Sequence, residues 1–134
     1  PDYGGAGKYR GGLGVRRDIR IIGHDCSFSI KADRQRVAPW GLFGGGDGHV
    51  GQIILDPDSD HAQVLDPKRS GIPVKAGSVV SVRTPGAGGY GDPRERSRDK
   101  IRFDLEEGMI TPESAVRDYG WTEEELAQTA VYHP

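Results

Sequence analysis

The sequence has one cysteine, Cys26, which excludes an internal disulfide and fits a reducing compartment. It has no apolar run near the ~18 residues that a membrane-spanning helix needs. It has no charged-then-apolar leader at its start. Neither charge is in excess: 18 basic and 20 acidic residues leave a net −2, so there is no electrostatic footprint for a polyanion. Apolar residues are scarce at 34%, against the ~45–50% usual for a globular domain. These absences predict a soluble, cytoplasmic protein with no membrane and no nucleic-acid partner. They also predict a thin core that another subunit completes.

Glycine is what the chain has in excess. It supplies 21 of 134 residues, about twice the usual ~7% share. The glycines cluster at 4–14, 41–51 and 86–91. Such clusters occur where backbone must take positive φ or approach something closely.

The predicted class is α+β: a β-rich body with glycine-rich loops and a C-terminal tail of short helices. A glycine-rich arm spans 1–14, the body 15–91 and the tail 92–134, within one domain overall. In the body, "VRRDIRII" carries Val15, Ile19, Ile21 and Ile22, and "SFSIKA" places Phe28, Ile30 and Ala32 on one face. "GHD" at 23–25 reads as a hairpin turn joining them. "QIIL", "AQVL" and "SVVSVR" read as further strands, with "KAG" at 75–77 as a turn. In the tail, Asp92, Pro93 and Glu95 have the pattern of an N-cap, first turn and capping box for a helix that Gly108 ends. Thr111, Pro112 and Glu113 start a second helix, closed by Gly120, and Thr122 with Glu125 start a third.

"TPGAGGYGDP" at 84–93 contains G-x-G-x-x-G between a strand and a helix, the setting of a dinucleotide-binding turn. Three features argue against that ligand. Thr84 and Pro85 separate the strand from the first glycine. The acidic residues ~20 positions on, Glu106 and Glu107, read as a helix end rather than a strand end. Asp92 already puts a carboxylate at the helix N-terminus that a pyrophosphate needs. The preferred reading is a tight strand-to-helix crossing that side chains would obstruct.

Other motifs are incomplete. "GKY" at 7–9 lacks the hydroxyl residue and the upstream glycine of a phosphate loop. Asp56, Asp58 and Asp60 alternate as in a calcium loop, but His61 and Pro67 stand where glycine and glutamate are required, so an exposed acidic loop is expected. His24 and Cys26 would share a face on a strand, with His49 or His61 as further zinc ligands. Paired ligand clusters are absent, and the expectation is no metal. "YRGG" at 9–12 is one copy of a segment type found in RNA-binding tails. No G-x-S-x-G elbow appears, and Cys26 has no evident activation.

Four stretches carry a resemblance. "GGAGKYRGGLG" at 4–14 resembles G-G-x-G-x-x-R-G-G-x-G. "ADRQRVAPWGLFGG" at 32–45 is similar to A-D-R-x-R-x-x-P-W-G-L-x-G-G. "TPGAGGYGDP" is similar to T-P-G-G-G-G-Y-G-D-P, with Ala87 in place of one glycine. "EEGMITPESAVRDYG" at 106–120 resembles G-x-I-(T/S)-P-E-x-A-x-x-x-Y-G. These are motifs, in order, of the hydantoinase B, oxoprolinase and acetone carboxylase family.

The resemblance implies a small subunit of an ATP-dependent ketone carboxylase, with a subunit of an ATP-dependent hydantoinase or oxoprolinase-type amidohydrolase as the alternative. A non-enzymatic RNA-binding or structural accessory is a third reading. The resemblance covers the C-terminal end of the family polypeptide, without the part that bears the family's His/Asp metal motif. It therefore implies ATP and a divalent metal in larger hydantoinase A/B-like partner subunits of a hetero-oligomer, and none bound by this chain alone. Gly44, Gly45, Gly46, Gly86, Gly88, Gly89, Tyr90 and Gly91 are the expected interface or close-approach positions. Asp33, Arg34 and Arg36 are the catalytic candidates, arginine being suited to carboxylate and phosphate oxygens. The competing expectation for Asp33 and Arg34 is a structural ion pair at a strand end. Trp40 is expected to lie buried under the glycine loop.

Overall fold

The computed structural model describes residues 1–131. The class is α+β and β-rich, with antiparallel sheets and short C-terminal helices. The chain divides into two compact units.

One unit comprises Gly14–Val37 and Val50–Pro85. Its six strands are β1 (Arg16–Arg20), β2 (Cys26–Phe28), β3 (Gln52–Leu55), β4 (Gln63–Val64), β5 (Ile72–Val74) and β6 (Val79–Arg83). A four-stranded antiparallel sheet has the order β1-β6-β3-β4, and β2 with β5 forms a separate antiparallel pair. Valine-rich β6 is paired on both sides, as β-branched side chains favour. Its Val80 lies opposite Ile19 and Leu55, and Val82 opposite Arg17 and Ile53. The core holds Ile30, Ile53, Leu65, Ile72, Val74 and Val80, with Phe28 and Ala32 packed against it. The alternation read over 28–32 therefore does face inward.

The turn at 23–25 does not join β1 to β2, which belong to different sheets. Asp25 instead reaches the later turn, where its carboxylate accepts from Ala76 N at 2.9 Å and from Lys75 Nζ at 2.7 Å. Ile21 and the 75–77 turn also exchange backbone bonds, Ile21 N to Ser78 O and Gly77 N to Ile21 O. The long-range partner wins because β6 offers β1 five residues of register. Strand β5, which contains Pro73, is not among the strands read from the sequence. The proline is tolerated because β5 has one partner, so one of its edges needs no donor.

The other unit comprises Pro1–Leu13, Ala38–His49 and the chain from Gly86 onward. It holds α1 (Arg98–Glu106), α2 (Pro112–Tyr119) and α3 (Glu123–Ala127). The single helix expected from Asp92 to Gly108 is two elements. Asp92 caps only a 3₁₀ turn, Pro93–Glu95, and the backbone is extended at Arg96 and Ser97 before α1 begins. Glu95 closes no capping box there; it pairs with Lys8 at 2.9 Å. The two later starts are as expected. Thr111 accepts from Ser114 N, Gly120 ends α2 in the left-handed region, and Thr122 with Glu125 forms a complete capping box. Ile101, Leu105, Ile110, Ala115, Tyr119 and Trp121 form this unit's core. Among the described residues no helix is long and apolar enough to cross a membrane.

Candidate functional site

The second unit is built around its three glycine-rich segments, which bind one another through backbone hydrogen bonds. Gly5 N donates to Ala87 O, Ala87 N to Gly12 O, Gly46 N to Ala6 O and Gly89 N to Gly46 O. Leu42 N donates to Gly89 O, and Gly91 N to Leu42 O. Tyr9 and Tyr90 exchange a reciprocal pair of bonds at 3.0 Å. Missing side chains are what permit this spacing. A Cβ on Gly86 would overlap the carbonyl of Tyr3, and one on Gly88 the carbonyl of Trp40. The same geometry places Gly45 against Gly89 and Gly89 against Ala6.

This lattice answers the question raised by G-x-G-x-x-G. A phosphate-binding turn presents free amides to the ligand. Here the amides of Gly86, Ala87, Gly89, Tyr90 and Gly91 all donate to carbonyls of the same unit. The helical start beyond the turn is filled as well, since Asp92 Oδ1 accepts from Arg94 N at 2.8 Å. The glycines let these backbones approach one another.

The outer side of the lattice carries aromatic side chains. Phe43 is 76% exposed, Tyr9 56% and Tyr90 48%, with Leu42 beside them at 50%. The Phe43 and Tyr90 rings meet edge-on at 5.1 Å, and Tyr9 and Tyr90 lie 6.2 Å apart. Lys100 Nζ stands 5.8 Å from the Tyr9 ring. Trp40 is not buried as expected; the ring-bearing residue is 60% exposed while its carbonyl packs on Gly88.

Beneath the lattice is a charged cluster that sequence reasoning missed. Asp104 on α1 is 1% exposed. Its carboxylate accepts from Arg10 Nε at 3.1 Å, Arg10 Nη2 at 3.2 Å and Arg96 Nη2 at 2.8 Å. Arg10 is the arginine of "YRGG", so its guanidinium is committed to Asp104 within the unit. One signal was available. Asp104 lies between Ile101 and Leu105 on the buried face of its helix, and a buried carboxylate requires partners. Tyr119 is buried nearby, and burial raises its hydroxyl above the usual tyrosine range.

The catalytic candidates lie in the other unit. Residues 32–37 with Pro67 and Lys68 line an open groove of about 190 Å³. Asp33 pairs with Lys68 Nζ at 2.6 Å and Arg36 with Asp66 at 2.9 Å. The bond to Lys68 holds the Asp33 carboxyl below its usual range. Arg34 has a left-handed backbone, φ 56°, and its carbonyl accepts from Gly51 N. His24 precedes β2 instead of sharing the strand with Cys26. Among the described residues, no three His, Cys, Asp or Glu side chains gather as metal ligands.

A family model described as hydantoinase B/oxoprolinase matches residues 1–93. A protein of Pseudomonas sp. (strain NS671), provisionally named as the B component of a D-/L-hydantoinase, is 39% identical over 117 residues, which are 87% of this chain and 20% of that protein. The crystal structure of ATP-dependent caprolactamase from Pseudomonas jessenii matches 90% of this chain and 21% of its own, with a TM-score of 0.70 at 26% identity. A nucleotide-free acetone carboxylase structure shares the fold, with a TM-score of 0.62 at 18% identity over 92% of this chain and 21% of its own. The chain therefore spans about a fifth of the length of these three relatives. With the model matching most of its length, this chain belongs to the hydantoinase B/oxoprolinase family.

Proposed function

We propose that this chain forms part of the hydantoinase B-like subunit of an ATP-dependent, cytoplasmic, multi-subunit enzyme, and that it supplies structure rather than chemistry. The carrying observation is the state of its glycine-rich loops. Most of their amides donate to carbonyls of the same unit, while Tyr9, Leu42, Phe43 and Tyr90 stand exposed on them. ATP and a divalent metal are then held by larger A- and B-type partner regions. Asp33, Arg34 and Arg36 are this chain's nearest approach to that chemistry, because a guanidinium can hold a carboxylate or phosphate oxygen through two bonds.

The first reading is ketone carboxylation, in which acetophenone, bicarbonate and ATP give benzoylacetate, with this chain in the role of a small subunit. A second reading is ATP-dependent opening of a cyclic amide by water. It is supported by the likeness to caprolactamase of Pseudomonas jessenii, whose beta polypeptide is 27% identical over 126 residues. Both reactions consume ATP, so ATPase activity does not separate them. Labelled bicarbonate does. A carboxylase incorporates the label into the β-keto acid only with ATP and an enolisable aryl methyl ketone. Ring opening of a lactam or hydantoin that needs ATP but no bicarbonate assigns the amidohydrolase. Label fixation by this chain alone would overturn the structural role.

A further inference from the structure

We propose that Phe43 is the anchor by which this region docks onto the other four fifths of a hydantoinase B polypeptide, with Leu42, Tyr90 and Tyr9 completing the contact. The inference rests on the reading above that the chain serves in such a module.

Two independent observations meet at Phe43. Its backbone is left-handed, φ 50°, a conformation that costs energy for a bulky residue and that Gly or Asn adopts more cheaply. Strain of this kind persists where the surroundings over-determine it, and it clusters at functional sites. The residue, 76% exposed, recovers little of that cost by burial within the unit. A single exposed apolar residue needs no explanation. Phe43, however, leads into a contiguous group through Tyr90, on which both Leu42 and Tyr9 are bridged. Aromatic residues on a rigid mount are the usual anchors of a protein interface.

The relatives identify the occupant. In the Pseudomonas hydantoinase B relative and in the caprolactamase structure, the region matching this chain is about a fifth of one polypeptide. The other four fifths are then covalently tethered to the matched region. Tethering gives that remainder an effective concentration no separate partner has, so a modest apolar patch suffices for docking.

The test uses the intact complex with Phe43 replaced by the photo-crosslinker p-benzoylphenylalanine, followed by peptide mapping of the products. Tyr90, replaced in the same way, is the second probe should the first variant fail to assemble. Val64, exposed on β4, is the control position. The expected result is crosslinking to B-type peptides outside this region at tenfold or more the yield from the Val64 position. Yield no higher than the control overturns the proposal, as does crosslinking mainly to a second copy or to an A-type polypeptide. ATP-dependent turnover by the same preparation is scored separately. Crosslinks to B-type peptides without turnover of either substrate class support the docking seam while sinking the activity reading.

Discussion

The guanidinium of Arg10 grips the buried carboxylate of Asp104 with two hydrogen bonds, Nε to Oδ2 at 3.1 Å and Nη2 to Oδ1 at 3.2 Å. Arg10 also donates from Nη1 to the Gly11 carbonyl at 2.8 Å. Arg96 takes Oδ2 from the other side at 2.8 Å. A glycine-rich arm with few apolar side chains is thereby fastened to α1 through charge, 94 residues away in sequence.

Asp104→Asn is expected to destabilise the protein by roughly 3–5 kcal/mol, because it strips the counter-charge from two largely buried guanidinium groups. Arg10→Lys keeps the charge but loses the two-point grip, and should cost less, about 1–3 kcal/mol. Urea denaturation of the three proteins checks the order. An Asp104→Asn protein as stable as the wild type would remove the cluster from the account.

Gly88→Ala should cost about 1–3 kcal/mol or more, since the new methyl group overlaps the Trp40 carbonyl and the backbone must move. Gly12→Ala is the matched control. Nothing stands within 4 Å of its Cβ position, so reduced freedom of the unfolded chain should make it neutral or stabilising by about 0.4–1 kcal/mol. Thermal melts compare the pair. Equal effects would mean that close backbone approach is not what excludes a side chain at 88.

Burial is the largest cause of the raised Tyr119 pKa, with Arg96 acting in the opposite direction. A group whose pKa is higher folded than unfolded stabilises fully below its unfolded pKa, near 10 for tyrosine, and loses that contribution as pH rises through the folded value. Wild-type stability should therefore fall more steeply than that of Tyr119→Phe above pH 10. Denaturation curves collected from pH 8 to 11.5 provide the comparison, and parallel declines would contradict it.

Arg34→Gly separates chemistry from folding. Glycine accepts the left-handed backbone at this position, so relief of strain offsets the added freedom of the unfolded chain, and the remaining loss of stability, about 1–3 kcal/mol, measures the contacts of the Arg34 side chain. If the guanidinium holds an oxyanion, turnover of the assembled complex should fall by roughly 100-fold. Unchanged kcat in an assembled complex would confine Arg34 to structure.

The sequence alone determined what local chemistry encodes. Thr111, Gly120 and the Thr122–Glu125 box marked helix ends because capping involves residues within one turn. "QIIL" and "SVVSVR" marked strands because β-branched runs favour the extended chain. The glycine clusters signalled close approach but not to what. Only the tertiary structure decided that Gly88 lies against Trp40, that Asp25 ties its turn to Ala76, and that Arg10 belongs to Asp104. Each of these pairs joins segments at least 48 residues apart, counting 88 minus 40 for the nearest. Their partners are chosen by which long-range packing satisfies the most backbone and charge at once, and no periodicity in the chain records that choice.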